Sequence, residues 1–189
     1  MIMSADQLSV ARILRVNHAG EYGAIRIYGA QIAVAHKLYP ALAGPLAELR
    51  GHEIIHCQQF RESMPSRGAR PCRALWLWSS SGWLLGFLTG LMGPRAIWTC
   101  TEAVEDVVHE HLDAQLAFLE HRDPEMHTLI AAIQEEEAGH LSLARHEKGH
   151  NTVFTRILDG LIRPWIHVVV WLSTQGDSSR MRRDLEAAT

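Results

Sequence analysis

Four long helical patterns in this chain each carry a glutamate in the middle of their apolar stripe. The first such stripe contains Ile13, Ala24 and Tyr28 around Glu21, at the three- and four-residue spacing of one helix face. The glutamates of the other three stripes are Glu53, Glu105 and Glu137. An unpaired buried carboxylate is costly, and lysine and arginine do not occupy the facing positions. The pattern therefore predicts an all-α bundle that closes around bound cations.

The boundaries of these helices follow from prolines, glycines and capping residues. The helical patterns cover residues 4–36, 45–64, 94–120 and 124–149. Strand signals are almost absent, and 189 residues with 47% hydrophobic content suffice for one core without requiring two. We therefore expect a single domain over residues 1–176, followed by a polar, frayed tail over residues 177–189.

Two of the four glutamates belong to Glu-x-x-His motifs, whose two side chains leave the same face of a helix. The second helix carries one in "GHEIIH" and the fourth carries one in "EEEAGH". In each half of the chain a lone glutamate precedes the glutamate of the motif by 32 residues, which indicates two helical hairpins in the same register. The predicted metal ligands are Glu21, Glu53, His56, Glu105, Glu137 and His140. Four helices with this set have the ligand pattern of ferritin-like di-iron or di-manganese bundles.

The residue types explain the chemistry of such a centre. The glutamate of each motif can bridge two divalent ions, the imidazoles cap one ion each, and the lone glutamates leave positions open for dioxygen. Oxygen ligands with limited nitrogen suit iron or manganese. His18, three residues before Glu21, is a candidate for holding a ligand carboxylate, with a plain polar contact as the alternative. His111 is a candidate for supporting Glu137 or for relaying protons.

Several neighbours of these residues fall off the inner stripes. We expect the following acidic residues on solvated faces: Glu102, Asp106, Glu135 and Glu136. His52 is likewise expected at the surface. Gly20 and Gly23 bracket Glu21 inside a helix, where glycine costs stability. They provide either close helix packing or room for a substrate beside the metals.

Two apolar segments lie outside the four main helices. Residues 73–94 form a crossover in which 21 consecutive residues carry no charge, which is long enough to span a membrane. A single span would place Glu53 and Glu105 on opposite sides of the bilayer, so we expect a buried or surface-lying helix instead. The second segment, residues 161–173, is too short to span. All the tryptophans lie in or beside these segments: Trp76, Trp78, Trp83, Trp98, Trp165 and Trp171. This distribution favours two extra apolar helices that face a membrane, with core packing as the alternative.

The motifs of the four main helices resemble those of the demethoxyubiquinone hydroxylase family over about residues 10–173. The motifs are "RVNHAGEYGAIRIY", "GHEIIH", "TEAVEDVVHEHLDAQL" and "EEEAGH". The resemblance implies that all six ligand positions are intact and that His111 matches a histidine of the family. Leu112 stands where some members have a tyrosine. It further implies two iron ions, dioxygen as co-substrate, and hydroxylation of a polyprenyl methoxy-methyl-benzoquinol in ubiquinone synthesis.

The resemblance also implies a membrane-bound setting. We expect a peripheral protein on the cytoplasmic side of the cell inner membrane, with the membrane surface, the polyprenyl quinol and a lipid-presenting biosynthetic protein as partners. A homo-oligomer, the isoprenoid length and the electron donor are left open. Iron storage and hydroxylation of modified tRNA are the alternative functions. The net charge of -3 and the missing basic patch disfavour nucleic acid, and a tryptophan-rich crossover has no use in iron storage.

Overall fold

The computed structural model describes residues 3–174 and 176–187, and within these ranges all regular structure is helical. The helices are α1 (Ala5–Leu38), α2 (Pro40–Ser63), α3 (Leu75–Met92), α4 (Pro94–Leu119), α5 (Pro124–Lys148), α6 (Val153–Ser173) and α7 (Asp177–Glu186), with a short 3-10 turn at Pro65–Arg67. The predicted all-α bundle is confirmed. Among the described residues, no helix is both long enough and apolar enough to cross a membrane.

Side chains at the helix starts explain most of these boundaries. Ser4 and Gln7 form a capping box at the start of α1. Asp123 accepts a hydrogen bond from the backbone N–H of Met126 and so caps α5, with Pro124 in the first helical position. The start predicted for α2 is wrong, because the helix begins at Pro40 and Pro45 lies inside it.

Two apolar clusters hold the main helices together, one at each end of the bundle. One cluster includes Ile13 of α1, Phe60 of α2 and Leu119 of α4, together with residues of α5. The other cluster includes Leu46 of α2 and Trp98 of α4, again with residues of α1 and α5. Each of these four helices therefore runs from one cluster to the other. The stripe glutamates lie in the belt between the clusters.

The predicted apolar crossover forms α3, which packs closely along α1 through glycines four residues apart. A Cβ atom at Gly86 would lie 2.2 Å from the carbonyl oxygen of Ile27, and one at Gly82 would lie 2.7 Å from the carbonyl oxygen of Gly23. Both distances are far below ordinary van der Waals contact, so only glycine permits this approach. α3 is thereby fixed against the helix that carries the first predicted ligand.

The C-terminal part of the chain differs from the prediction in two ways. α6 begins at Val153, before the predicted apolar segment, because Thr152 forms a capping box with Thr155. The prediction of a frayed tail is wrong for the described residues up to 187, since these form α7, whose Met181 and Leu185 are buried.

Polar contacts attach α7 to the start of α1. The carboxylate of Asp184 accepts hydrogen bonds from Ser9 at 2.8 Å and from Arg12 at 2.7 Å. These contacts, together with the buried apolar side chains of α7, place the helix against the bundle.

Glu102 and Asp106 do not lie on a solvated face as predicted. Their side chains are 14% and 20% exposed, and they pair with cations of neighbouring helices. Glu102 pairs with Lys148 of α5, and Asp106 pairs with Arg145 of α5 and Arg163 of α6. This network joins α4 to the two helices beside it.

Candidate metal centre

The six predicted ligands meet in the belt between the two apolar clusters, and all six are buried. Their ligand atoms form two overlapping groups of four, within each of which all atoms lie within 4.8 Å of one another. The first group is Glu21, Glu53, His56 and Glu137. The second group is Glu53, Glu105, Glu137 and His140.

The overlap assigns different positions to the two kinds of glutamate. Glu53 and Glu137, which belong to the Glu-x-x-His motifs, occur in both groups and therefore lie between two potential metal positions. Glu21 belongs to the first group and Glu105 to the second. This is the arrangement expected of two bridging and two terminal carboxylates around a pair of metal ions.

Both histidines turn the same ring atom towards the centre. Nδ1 of His56 lies 2.9 Å from Oε1 of Glu137. Nδ1 of His140 lies 2.8 Å from Oε2 of Glu137 and 3.5 Å from Oε1 of Glu53. The Nε2 atoms consequently point away from the centre and are available to other residues.

The centre contains buried polar atoms that lack hydrogen-bond partners. Oε1 of Glu53, Nδ1 of His56 and Oε1 of Glu137 are buried and accept or donate no hydrogen bond among the described residues. Although the last two atoms lie 2.9 Å apart, their alignment does not make a hydrogen bond. Such atoms are costly to bury, and all three belong to the predicted ligand set. Carboxylate oxygen and imidazole nitrogen are donors that first-row divalent metals accept, so the residues fit bound metal ions.

The charges of the centre are also far from balanced. Burial, and then the nearby carboxylate of Glu53, raise the pKa of Glu21 well above its ordinary value. Burial, and then Glu137 and Glu53, do the same to the pKa of Glu105. Burial lowers the pKa of His140, but its contacts with Glu137 and Glu53 outweigh burial and raise that pKa to about 10. The metal-free centre therefore retains protons that a bound cation would displace.

Three residues outside the predicted ligand set contact the ligands. The hydroxyl of Tyr28 donates a hydrogen bond to Oε1 of Glu105 at 3.0 Å. Nε2 of His56 donates to Oε2 of Glu136 at 3.1 Å. Tyr28 lies on the same α1 stripe as the first glutamate, so the sequence contained a signal for its position. Glu136 is 56% exposed, which agrees with a solvated position, but its contact with a ligand was not predicted.

The third residue is His52, for which the sequence predicts a surface position. It is only partly exposed, and its Nδ1 lies 2.9 Å from Nε2 of His140. Like Glu136, His52 directly precedes the glutamate of a Glu-x-x-His motif. Their shared position directly before the motif glutamate is the sequence signal from which both contacts could have been predicted.

The two histidines predicted to support the ligands take other positions. His18 is buried, and its Nδ1 has no hydrogen-bond partner in the described part of the chain. His111 packs edge-on against His167 of α6. Burial, then the charges of Arg182 and His167, lower the pKa of His111 to about 4, so the ring is neutral at ordinary pH. Within the described ranges, neither histidine hydrogen-bonds a predicted ligand.

A largely apolar cavity connects the carboxylates with α3 and α6. Its walls include Trp78 and Leu85 of α3 and Trp165 and Ile166 of α6, and it reaches the carboxylates of the centre. Gly20 lines the cavity, and a Cβ atom there would meet no atom within 4 Å.

The two glycines that bracket Glu21 therefore have different surroundings. A Cβ atom at Gly23 would lie 2.6 Å from the ring of Trp78, so this glycine provides close packing. Gly20 instead leaves open space beside the carboxylates. Close helix packing is thus confirmed at Gly23, whereas room for a substrate at Gly20 stays a prediction.

Comparison with known proteins identifies the family. The family model described as ubiquinone biosynthesis protein COQ7 matches residues 8–173. That match covers most of the chain, and the chain therefore belongs to this family.

Individual relatives agree with this assignment. The chain is 33% identical to the human NADPH-dependent 3-demethoxyubiquinone 3-hydroxylase, mitochondrial, over 90% of this chain and 81% of the relative. It is 32% identical to the mitochondrial 5-demethoxyubiquinone hydroxylase of Saccharomyces cerevisiae, over 90% of this chain and 79% of the relative. It is 30% identical to the 3-demethoxyubiquinol 3-hydroxylase of the bacterium Rhodospirillum rubrum, over 87% of this chain and 77% of the relative. Relatives of this chain thus occur both in mitochondria and in a bacterium.

Proposed function

We propose that this member of the COQ7 family is a di-iron monooxygenase that hydroxylates the ring of demethoxyubiquinol in ubiquinone biosynthesis. The family membership and the names of the relatives support the reaction. The observation that carries the proposal for this chain is the apolar cavity that joins the carboxylate centre to α3 and α6. An iron-storage protein would not require such a cavity, whereas an apolar ring substrate does.

The proposed architecture is a ferritin-like bundle in which α1, α2, α4 and α5 hold the metals. The six ligands would bind two iron ions, with Glu53 and Glu137 shared between them. Bound iron would supply the activation of dioxygen. One oxygen atom enters a ring C–H bond and the other leaves as water, which requires two electrons from a reductant and two protons. The human relative is named as NADPH-dependent, and on that ground we propose NADPH as the source of the electrons.

The residues around the centre position the reactants. The largely apolar walls of the cavity would exclude water and hold the ring beside the carboxylates. Tyr28 keeps its proton, because burial and the neighbouring carboxylates raise its pKa well above the ordinary value. Its hydroxyl can therefore go on donating to Oε1 of Glu105 and fix the orientation of that carboxylate.

The outer faces of α3 and α6 support the proposal of a membrane-facing surface. Trp76 and Trp83 of α3 are 69% and 46% exposed, and Trp165 and Trp171 of α6 are 46% and 54% exposed. Indole rings favour the boundary between lipid hydrocarbon and headgroups. The same two helices line the cavity, so a polyprenyl quinol could pass from the membrane to the centre.

Not every tryptophan contributes to this surface. Trp98 is buried in the core, and Trp78 is buried against Gly23, so core packing explains these two. The four exposed rings remain the basis for the membrane proposal. We extend the proposal to peripheral attachment at the cytoplasmic side of the inner membrane, with a lipid-presenting protein as a partner.

The test of the function fills the cavity at Gly20. In Gly20→Phe the ring should occupy the open space and reduce the hydroxylated quinone by at least about tenfold, while the iron content stays at two ions per chain. Gly20→Ala is the control that also removes the glycine but leaves the cavity open, because its methyl group meets no neighbour within 4 Å. Product is measured by mass spectrometry of quinones in a deletion strain complemented by each variant. Normal product from Gly20→Phe would refute the cavity as the route of the substrate.

A second variant tests the membrane-facing surface. Replacing both Trp83 and Leu84 with Asp puts charge on the exposed side of α3, which disfavours burial in lipid. We expect loss of flotation with liposomes and loss of quinol hydroxylation in membranes, with iron content retained. Normal product together with normal iron would mean that this side of α3 does not face the membrane.

A further inference from the structure

The residue before the glutamate of each Glu-x-x-His motif contacts the histidine of the other motif. On one side of the centre, Glu136 accepts a hydrogen bond from Nε2 of His56 at 3.1 Å. On the other side, Nδ1 of His52 lies 2.9 Å from Nε2 of His140. The same kind of contact thus joins the two hairpins on both sides of the centre. The residue that contacts the motif histidine is a carboxylate on one side (Glu136) and an imidazole on the other (His52).

The geometry of the pair formed by His52 and His140 is that of an aligned hydrogen bond. The ring planes are within 7° of each other, and the ring centroids are 5.1 Å apart. This separation corresponds to the 2.9 Å contact between nitrogens extended by one ring radius on each side. The rings therefore meet edge to edge, with the in-plane lone pair of one nitrogen facing the N–H of the other.

The direction of this hydrogen bond follows from the position of the metal ligands. Nδ1 of His140 faces the carboxylates, 2.8 Å from Glu137, so it is the nitrogen available to a metal. With a metal ion on Nδ1, the proton of the neutral ring would reside on Nε2, which would donate to Nδ1 of His52. His52 in turn carries its own proton on Nε2.

We infer that His52 is a positioning residue for His140, as Glu136 is for His56. The two metal positions consequently differ in their affinity for metal. The inference rests on the proposed metal centre. A carboxylate behind a ligating imidazole fixes the ring and increases its basicity. A neutral imidazole fixes the ring without adding negative charge. We therefore expect tighter binding at the position that includes His56 than at the position that includes His140.

The test is titration of the metal-free chain of 189 residues with Co²⁺, followed by calorimetry and by visible absorption. The wild-type chain should bind two ions in two resolved steps. His52→Leu should weaken the weaker step by about 10–100-fold and leave the tighter step unchanged. His52→Asn should restore most of that affinity, because the Oδ1 atom of Asn lies the same number of bonds from the backbone as Nδ1 of His. Glu136→Gln is the matched variant on the other side and should weaken the tighter step.

The outcomes separate the inference from the proposed function. If His52→Leu binds Co²⁺ as the wild-type chain does, or if it weakens both steps equally with no rescue by His52→Asn, the positioning role is refuted. If the wild-type chain binds no Co²⁺, the proposed metal centre fails as well. Far-ultraviolet circular dichroism of each variant establishes that the fold is retained before the titrations are compared.

Discussion

Replacing Gly86 with alanine tests the close packing of α3 on α1, which positions one wall of the cavity. The added Cβ atom would lie 2.2 Å from the carbonyl oxygen of Ile27, whereas ordinary contact begins at 3.4 Å. The obstacle is backbone, so α3 must move outward by more than 1 Å. Overpacking of this kind costs about 3 kcal/mol, which corresponds to a decrease in Tm of about 6–12 °C for a domain of this size. The measurement is thermal unfolding of the metal-free chain, followed by circular dichroism.

Gly160→Ala is the control for this substitution. Gly160 lies in α6, is exposed, and has no atom within 4 Å of a built Cβ. Its replacement should stabilise the chain by about 0.5–1 kcal/mol through the higher helix propensity of alanine. If Gly86→Ala melts at the same temperature as the wild-type chain or higher, α1 and α3 do not approach each other as described.

Two further predictions concern the metal centre. Glu137→Ala should remove both metal ions, because this carboxylate belongs to both ligand groups, whereas Glu21→Ala should remove one; metal analysis of the purified variants that finds two ions in Glu137→Ala would contradict the shared position. The free energy of unfolding of the metal-free chain should fall as pH rises from 6.5 towards 10, because the raised pKa of His140 stabilises the fold fully below 6.5 and this contribution is lost as the pH approaches about 10. Urea unfolding across that range measures the slope. A metal ion bound to Nδ1 of His140 should make the free energy of unfolding depend less on pH in this range. If the dependence is unchanged by metal, Nδ1 of His140 is not a metal ligand.

The meeting of the six candidate ligands could be predicted because a carboxylate in the middle of an apolar stripe has few physical explanations. Helical periodicity placed Glu21 and Glu105 on inward faces, and the i, i+3 spacing did the same for both Glu-x-x-His motifs. The repeated spacing of 32 residues then aligned the two hairpins. These signals are local, so they did not require knowledge of how the hairpins pack.

The contacts that the sequence did not predict depend on the relative rotation of helices. His52 and Glu136 lie at the edge of their stripes, and only the approach of α2 to α5 brings them to the histidines of the two motifs. Similarly, Glu102 and Asp106 resemble a solvated face until α5 and α6 bring cations beside them.

The tail illustrates a different limit of prediction. The described residues of α7 bury Met181 and Leu185, but two apolar side chains in ten residues are too few for periodicity to detect. The family match ends at residue 173, so the helix also lies beyond the segment matched by the family model. The position of α7 is decided instead by tertiary contacts between Asp184 and α1.

Because the centre lies between two apolar clusters, metal binding would also affect the stability of the fold. At the two ends of the bundle, apolar side chains of both hairpins pack together. In the belt between them, α2 and α5 meet through polar groups, including His56 with Glu136 and His52 with His140. Burial there, and then repulsion among the four carboxylates, raises the pKa values of Glu21 and Glu105. Cations bound between shared carboxylates would convert the repulsion into attraction between the hairpins. The ions proposed for the reaction would therefore also stabilise the middle of the bundle, where apolar contacts could do so only if they replaced the candidate ligands.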